Sequence, residues 1–374
     1  MTSRPLHTRD LPAAEPLGAL EEVAHFDGAM PTGVTVSHEG RIFVNFPEWG
    51  DEVGATVAEL RDGRPVPYPD EAINQTDPED QAASLVSVQS VVVDPADRLW
   101  ILDTGSPMFQ QTEYGGPKLV CVDLATDKIV QTILFPQDVA LPTSYLNDVR
   151  FDLRRGEAGM AFITDSSDQG PNGIVVADLA SGESWRRLHD HPSTKYEPPQ
   201  NFLPVVEGRP LVEHRQDGTM APLIQMGSDG IAIGADGSRL YYCPLASRRL
   251  YSVSTDALAD RSQSGDAVAA TVADEGDKGG AGDGMESDAE GRIYATNYEQ
   301  NAVLRRSPDG AWETIAYDPR LLWPDTLSVA TDGYLYVTAN QLHRQASFQG
   351  GTDQRRKPYT LFRVRIDARP VLLL

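Results

Sequence analysis

The segment PDTLSVATDGYLYVTAN, from Pro324 to Asn340, reads as two short β-strands joined by a tight turn. Its apolar residues are mostly β-branched or aromatic, and a glycine follows an aspartate at the turn, as a β-hairpin requires. The pattern occurs five more times, as GVTVSHEGRIFVN from Gly33, VSVQSVVVDPADRLWILD from Val86, LNDVRFDLRRGEAGMAFITD from Leu146, SDGIAIGADGSRLYYCP from Ser228 and GDGMESDAEGRIYATN from Gly282. Six copies of one unit predict a repeat architecture.

A third strand follows most copies and alternates apolar with polar residues, as in KLVCVDLATDKIV from Lys118 and YTLFRVRID from Tyr359. Antiparallel meanders of about four strands, repeated around an axis, are typical of propeller blades. We therefore expect an all-β fold, a six-bladed β-propeller over residues 31–374. Residues 1–30 are expected to form a lead-in, in which Glu21–Phe26 supplies the outer strand of the last blade and closes the ring.

One interval between neighbouring copies is longer than the others. Val149 and Ile231 are 82 residues apart, whereas the other equivalent positions lie 42 to 58 residues apart. The extra length includes HDHPSTKYEPPQNFLP, so we expect an inserted loop over about residues 187–227. Such a loop is long enough to cover the mouth of the propeller as a lid. We expect His189 and His191, within it, to be surface residues rather than a metal-binding pair.

Composition excludes several classes of function. The net charge of −23 would repel nucleic acid and anionic lipid, and no stretch has the apolar length of a membrane span. Cys121 and Cys243 lack the spacing of a zinc site, and GGAGDG from Gly279 lacks the glycine spacing and following helix of a nucleotide loop. We expect a cytoplasmic protein that acts on a small molecule, without a nucleotide or organic cofactor. Its oligomeric state is left open.

Strand direction places two sets of polar residues at one mouth of the propeller. The residue that opens the first strand of a blade and the one that closes the second share a face, because a hairpin returns the chain to its starting side. The openings contribute Thr32, Gln89, Asn147, Asp148, Asp229, Asp283 and Asp325, and the closings contribute Asn45, Glu48, Asp103, Asp165, Asn297, Glu299, Asn340 and His343. We expect a polar ring that holds a ligand, although Asp and Asn also cap strand ends and turns.

The residue types in this ring indicate its chemistry. Asn147, Asp229, Asp283 and Asp325 recur at one equivalent position, and hard oxygen ligands suit one divalent cation, with calcium expected rather than zinc. His343, Asp103, Glu48 and Asp325 are the candidates for moving protons. Gln89, Asn297 and Asn340 are candidate ligand-binding amides. Tyr145, Tyr298 and Trp323 are expected to stack on a planar ligand, with packing between blades as the alternative.

The repeated blocks resemble the Yellow and major royal jelly protein family, in particular its bacterial members. The matching blocks include PTGVTVS with RIFVNFPEW, LWILDTG, YLNDVRFD, SDGIAIGADGSRLYYCPL, DGMESDAEGRIYATN and WPDTLSVATDGYLYVTANQL, and they run from Pro31 to about Asp367. This resemblance implies a six-bladed propeller and an activity on dopachrome-like, catechol-derived compounds. The family that the chain resembles also includes proteins that bind amines or sterols without converting them.

The blade openings are also similar to those of regucalcin and gluconolactonases, which hold a divalent cation at the channel mouth. By that comparison Asn147, Asp229 and Asp283 match three metal ligands, whereas Thr32 stands where those enzymes carry a glutamate. Our leading hypothesis is an enzyme that tautomerises or rearranges a cyclic, conjugated metabolite, dopachrome-like or quinone-type. A metal-dependent lactone hydrolase and a non-catalytic small-molecule binding protein are the alternatives.

Overall fold

A computed structural model of the protein describes residues 15–214, 219–222 and 225–374. Residues 1–14 of the expected lead-in, and 215–218 and 223–224 of the expected insertion, lie outside the described residues. The described part contains six four-stranded sheets with sequential antiparallel strands. This arrangement confirms the six-bladed β-propeller.

The first three blades follow one another with short connections. Strand β1 (Leu20–Phe26) precedes blade 1, which consists of β2 (Val34–Val36), β3 (Ile42–Asn45), β4 (Val57–Arg61) and β5 (Arg64–Pro67). Blade 2 consists of β6 (Val88–Val93), β7 (Arg98–Asp103), β8 (Lys118–Asp123) and β9 (Lys128–Leu134). Blade 3 consists of β10 (Leu146–Asp152), β11 (Met160–Asp165), β12 (Gly173–Asp178) and β13 (Ser184–Arg187).

The insertion after blade 3 carries two small hairpins, which pair β14 (Val205–Val206) with β15 (Arg209–Pro210) and β16 (Val212–His214) with β17 (Met220–Pro222). Blade 4 follows, with β18 (Ser228–Ile233), β19 (Arg239–Pro244), β20 (Arg249–Ser254) and β21 (Ala273–Asp277), and with two short helices before its last strand, α1 (Thr255–Ala259) and α2 (Gly265–Ala269). Blade 5 consists of β22 (Met285–Ser287), β23 (Ile293–Asn297), β24 (Ala302–Arg306) and β25 (Trp312–Tyr317).

Blade 6 joins the two ends of the chain. It consists of β26 (Pro324–Val329), β27 (Tyr334–Ala339) and β28 (Tyr359–Arg365), and β1 pairs antiparallel with β28 as its outer strand. Among the described residues, 3₁₀ turns lie in loops at Pro107–Phe109, Pro192–Thr194, Leu342–Arg344 and Ala346–Phe348. Because the first strand completes the last blade, the ring is closed by backbone hydrogen bonds and not only by side-chain packing.

The core lies between neighbouring blades. Every residue of β10 and of β18 is buried, because each inner strand packs against a blade on both of its faces. Between blades 2 and 3, the Trp100 and Phe151 rings stack with centroids 5.3 Å apart. Both cysteines, Cys121 and Cys243, are free and buried. None of the helices within the described residues has the length and apolar character of a membrane span.

The last residues of the chain cover one end of the central channel. Leu153 N donates a hydrogen bond to Leu373 O, and a bridge pairs Asp288 with Pro370. A small cavity of about 60 Å³ lies there, lined by Val371, Leu372 and the far ends of the inner strands. A cavity of about 430 Å³ lies at the other end of the channel, where the inner strands begin.

Candidate functional site

The inner strands of blades 2, 3, 4 and 6 present their first polar residues through β-bulges. The antiparallel register shifts between Val88 and Ser90, Leu146 and Val149, Ser228 and Ile231, and Pro324 and Leu327. The residues skipped by these shifts include Gln89, Asn147, Asp148, Asp229 and Asp325. A bulge releases a residue from the ladder and redirects its side chain, and bulges are frequent next to binding sites.

Two glycines let the backbone at the openings of blades 4 and 5 pass close to the next blade. A Cβ atom on Gly230 would lie 2.3 Å from Asp283 O, and one on Gly284 would lie 2.2 Å from Asp325 O. Neither distance leaves room for a side chain. Each residue of the Asp-Gly pairs at 229–230 and 283–284 therefore has its own role. The aspartate faces the channel, and the glycine allows the neighbouring blades to pack closely.

The floor of a cavity of about 430 Å³ at the mouth is formed by bulged residues of blades 2 to 4 and by Asp283, which precedes β22. Polar groups come from the blade openings, and apolar groups come from loops above them. Its lining includes Gln89, Asn147, Asp229 and Asp283 on the polar side and Trp49, Met108, Phe109, Met226, Leu245, Leu342 and Phe348 on the apolar side. Asp168, Glu213, Gln225, Gln345 and Ser347 complete it. A cavity with these two sides suits a flat, apolar molecule that carries a polar or cationic group.

Two carboxyl groups meet at the floor. Asn147 Nδ2 donates to Asp229 Oδ1 over 2.7 Å, and Trp323 Nε1 donates to Asp283 Oδ2 over 2.7 Å. Burial, together with the charge and the hydrogen bond of Asp283, holds the pKa of Asp229 well above its usual range. Burial also raises the pKa of Asp283 to about 6, opposed by the hydrogen bonds from Trp323 and Asp229. Burial therefore keeps the pair partly protonated at pH values where isolated aspartates are fully ionised.

The two remaining channel acids have different environments. Asp325 Oδ2 accepts a 2.6 Å hydrogen bond from Asn340 Nδ2, and its pKa is well above the usual value because of burial and the charge of Asp283. Asp148 accepts from Ser90 Oγ at 2.6 Å and pairs with Arg150 at 2.9 Å. The charge of Asp148 is thus balanced by Arg150, whereas burial favours the protonated form of Asp325.

Aromatic side chains form one wall of the cavity. Trp49 Nε1 donates to Tyr145 Oη at 2.9 Å, and Tyr145 Oη donates to Gln89 Oε1 at 2.9 Å. The Phe109 ring stacks on both Trp49 and Tyr145, with centroid distances of 5.5 and 4.5 Å. The hydrogen bond to Oε1 thereby fixes the orientation of the Gln89 amide. Its Nε2 is not hydrogen bonded to any described residue. It remains able to donate to a ligand.

The closing residues of the second strands do not line the cavity. Asp103 accepts hydrogen bonds from Val86 N, Ser87 N and Lys118 Nζ at 2.7 to 2.9 Å. Asn340 binds Asp325 and the backbone of Leu342. Asn297 is fully buried beside Gly280, and neither polar atom of its side chain has a hydrogen-bond partner within the described part of the chain. The expected ring is therefore built mainly by the opening residues, and the closing residues act within the loops.

The other predicted residues surround the site without facing it. Glu48 precedes Trp49, is partly exposed and has a pKa raised by burial. Tyr298 stacks on Trp323 at 4.2 Å between ring centroids and donates from Oη to Leu245 O at 2.8 Å. His343 stacks on Trp323 at 6.0 Å, and its Nε2 lies 2.8 Å from Glu207 Oε2. Burial lowers the pKa of His343, so its ring is neutral near pH 7 despite this carboxylate.

Several lining residues were not predicted from the sequence. Met108 and Phe109 occupy the left-handed backbone region, with φ of 51° and 56°, in the loop between β7 and β8. Leu342, Gln345 and Phe348 lie between β27 and β28, and Glu213 and Met226 belong to the insertion. Loop length was the only sequence signal available for them. Two consecutive non-glycine residues with positive φ at a cavity wall are themselves a mark of functional strain.

The metal prediction rests on a limited set of ligands. In residues 15–214, 219–222 and 225–374, no group of three or more His, Cys, Asp or Glu side chains has the geometry of a metal site. Asn147, Asp229 and Asp283 supply one amide and two carboxylates. Thr32, the expected fourth position, is buried and accepts a hydrogen bond from Asn45 Nδ2 at 2.9 Å. A cation in the mouth would therefore rest on three protein side chains and solvent.

Comparison with known folds supports the architecture. The regucalcin of Agrobacterium tumefaciens, a calcium-binding protein, superposes with a TM-score of 0.54 and 15% identity over 93% of this chain and 95% of that one. A luciferin-regenerating enzyme superposes with a TM-score of 0.55 and 11% identity over 95% and 97% of the two chains. A gluconolactonase of Xanthomonas campestris superposes with a TM-score of 0.52 and 13% identity over 95% and 98%. At such identities the likeness shows the fold alone.

Sequence comparison identifies the family. The chain is 31% identical over 258 residues to protein yellow of Drosophila erecta and of Drosophila melanogaster, over 64% of this chain. It spans 43% of the length of these relatives. The family model for major royal jelly proteins matches residues 86–372, which is most of the propeller. The chain belongs to the major royal jelly protein family, which includes the Yellow proteins.

Proposed function

We propose that this protein tautomerises or otherwise rearranges a cyclic, conjugated metabolite of the dopachrome-like or quinone type at the propeller mouth. The observation that carries the proposal is the Asp229–Asp283 pair, two buried carboxyl groups with raised pKa values beneath a wall of aromatic rings. A tautomerisation moves one proton between two atoms of the substrate. It therefore needs a base and an acid at one place, with no other reactant.

The pair supplies both roles. Asp283, ionised and held by the Trp323 indole, takes a proton from a carbon of the bound ring. The electron pair of that C–H bond moves into the conjugated system, and the negative charge develops on a ring oxygen. Asp229 then donates its proton to this oxygen. The substrate neither gains nor loses a proton overall, and the pair resets when the proton returns from Asp283 to Asp229.

The walls position the substrate and stabilise its charge. Trp49 and Phe109 offer flat apolar surfaces against which a conjugated ring stacks. The Gln89 Nε2 donor faces the same cavity and is suited to an oxyanion, because its amide is already fixed by Tyr145. These residues hold the ring and exclude water, whereas the aspartates move the proton.

The test is a spectrophotometric assay of the purified protein with quinone-type and other tautomerisable cyclic substrates. We expect Asp283→Asn to lower kcat/KM by about 10²-fold or more, the usual contribution of a general base. Asp27→Asn, at an exposed carboxylate on the same chain, should leave it unchanged. Equal rates in both variants would rule out the pair as the catalytic centre.

A metal-dependent lactone hydrolase is the second candidate. Neither Asp229 nor Asp283 has a Lys, Arg or His nitrogen within 4 Å in the part of the chain that the structure describes, so no protein cation competes with a metal ion for their oxygens. Asn147, Asp229 and Asp283 would hold calcium in place of a carboxyl proton. A bound cation supplies a polarised lactone carbonyl and an activated water.

Calorimetric titration of calcium into chelator-stripped protein separates the two candidates. If calcium displaces a carboxyl proton, binding releases protons, and the measured heat depends on the ionisation enthalpy of the buffer. Loss of this binding in Asn147→Ala and Asp283→Ala, together with activity that chelation abolishes, would favour the hydrolase. Activity that survives chelation would exclude it. A ligand that binds and is recovered unchanged would instead indicate a binding protein.

A further inference from the structure

A second and larger cavity lies beside the mouth. It has a volume of about 1060 Å³ and runs between the β14–β15 hairpin and the segment from His343 to Arg356. Its apolar back is formed by Val206, Leu211 and Phe348, all of them buried. Phe348 lines both cavities, so the two adjoin on one side of the propeller. We call this second cavity the basic groove, after the four arginines that line it, Arg209, Arg344, Arg355 and Arg356.

The charge of the groove is opposite to that of the whole chain. Two of its arginines are held by carboxylates: Arg344 makes two bonds of 2.6 and 2.9 Å to Glu207, and Arg355 binds Asp51 and Asp353. The carboxylates that line the groove, Glu207 and Asp353, are therefore already paired with these two arginines. Arg209 and Arg356 are exposed, and neither has a carboxylate within 4 Å among the described residues. In a chain of net charge −23, two unpaired guanidinium groups in one cavity are an unusual arrangement.

The position of Arg356 is fixed before any ligand binds. Its backbone N donates to Gln341 Oε1 at 2.8 Å, and Gln341 Nε2 donates to Arg356 O at 2.7 Å. Gln341 itself has a left-handed backbone, with φ of 61°. On the other side, Arg209 follows the hairpin tip that Glu207 anchors to His343 and Arg344. The backbone at or next to both unpaired arginines is thus held in place by hydrogen bonds before a ligand binds, which lowers the entropy lost on binding.

A buried polar atom in the groove also lacks a partner. His343 lines the groove and is 2% exposed, and its Nδ1 has no hydrogen-bond partner within the described ranges. Its Nε2 is already engaged by Glu207. Because Nε2 of the neutral ring donates to a carboxylate, Nδ1 is an acceptor and does not contact an anion, so anion binding in the groove depends on the arginines.

We propose that the basic groove is a second ligand site, which binds a small molecule through a phosphate or carboxylate group held by Arg209 and Arg356. Guanidinium groups offer two parallel N–H donors to two oxygens of either anion, and the apolar back of the groove offers a surface to the rest of the molecule. The site is separate from the acidic floor of the mouth, which would repel the same anion. It does not depend on the activity proposed above.

The experiment is calorimetric titration of the full-length protein with inorganic phosphate and, separately, with citrate, at low ionic strength. We expect saturable binding of one anion per chain by at least one of the two probes. Binding of phosphate alone assigns a phosphate ligand, and binding of citrate alone assigns a carboxylate. Absence of saturable binding with both probes would overturn the proposal.

Variants assign the binding to the groove. Arg356→Ala and Arg209→Ala should each weaken it by about tenfold, and Arg356→Lys should recover only part of the loss, because lysine lacks the two-pronged geometry. Arg64→Ala, at another exposed arginine without a side-chain partner among the described residues, is the matched control. Equal weakening by all of these variants would show a non-specific charge effect and refute the site. Asp283→Asn should leave anion binding intact, which separates this test from that of the mouth.

Discussion

The indole Nε1 of Trp323 donates a 2.7 Å hydrogen bond to Oδ2 of Asp283, and this bond favours the ionised form of a carboxyl group whose pKa burial has raised. The Trp323 ring is itself held between Tyr298 and His343. A residue at the start of the next blade thus stabilises the ionised form of Asp283, which is the form that can act as a base. The relationship explains why a tryptophan stands before the opening of blade 6.

Replacing Trp323 with phenylalanine should raise the pKa of Asp283 further. The ring stack is largely kept, whereas the donor to the carboxylate is lost, so the ionised form loses on the order of 1–2 kcal/mol of stabilisation. We expect an upward shift of about one unit in the Asp283 titration, followed by carboxyl ¹³C NMR. An unchanged titration would mean that the indole does not stabilise the anion.

The rate should depend on pH through the same group. Because Asp283 must be ionised to accept a proton, kcat/KM should rise with pH up to about 6, where Asp283 titrates, and then level off. At higher pH it should fall as Asp229 loses the proton that it donates. A profile that is flat between pH 5 and 7, measured on any converted substrate, would contradict the assigned roles.

Asp283→Asn should make the protein more stable at neutral pH. A carboxyl group with a folded pKa of about 6 and an unfolded pKa near 3.9 binds its proton more tightly in the folded state. It costs no stability below about pH 3.9, and its cost grows to roughly 3 kcal/mol as pH rises through 6. Asparagine avoids this cost. Urea unfolding at pH 4 and pH 7.5 should show a gain over the native protein that is larger at pH 7.5, with Asp27→Asn showing none.

Asp103 should prove structural. Lys118→Met removes the buried ammonium 2.8 Å from its carboxylate, and we expect a loss of about 3–5 kcal/mol in the free energy of unfolding. The double variant Lys118→Met with Asp103→Asn should recover part of that loss, since it leaves no unpaired charge. A stable Asp103→Asn protein that has lost catalysis would instead restore Asp103 as a catalytic residue.

Gly230→Ala should destabilise the junction of blades 4 and 5. The new Cβ would stand 2.3 Å from Asp283 O, so either the blades separate or the acid moves. We expect a loss of about 2 kcal/mol or more in stability and weaker ligand binding at the mouth. Gly265→Ala, where a Cβ meets nothing within 4 Å, is the matched control for thermal unfolding.

The sequence by itself determined the architecture and half of the site. Six hairpin units with β-branched strands can bury their apolar faces only by packing against one another around an axis, and the polar residue at the start of each inner strand then faces the channel. Gln89, Asn147, Asp229 and Asp283 were predictable for that reason, and they line the cavity.

Tertiary structure alone decided the rest. Asp103 and Asn297 follow the same strand pattern as residues that bind ligands, but the loops before the inner strands enclose them. Met108, Phe109 and Phe348 belong to loops whose paths depend on the whole ring. The raised carboxyl pKa values of Asp229 and Asp283 likewise depend on burial and on the approach of two blades. Strand periodicity encodes which face a residue takes, whereas loop paths and carboxyl pKa values depend on neighbours that are remote in sequence.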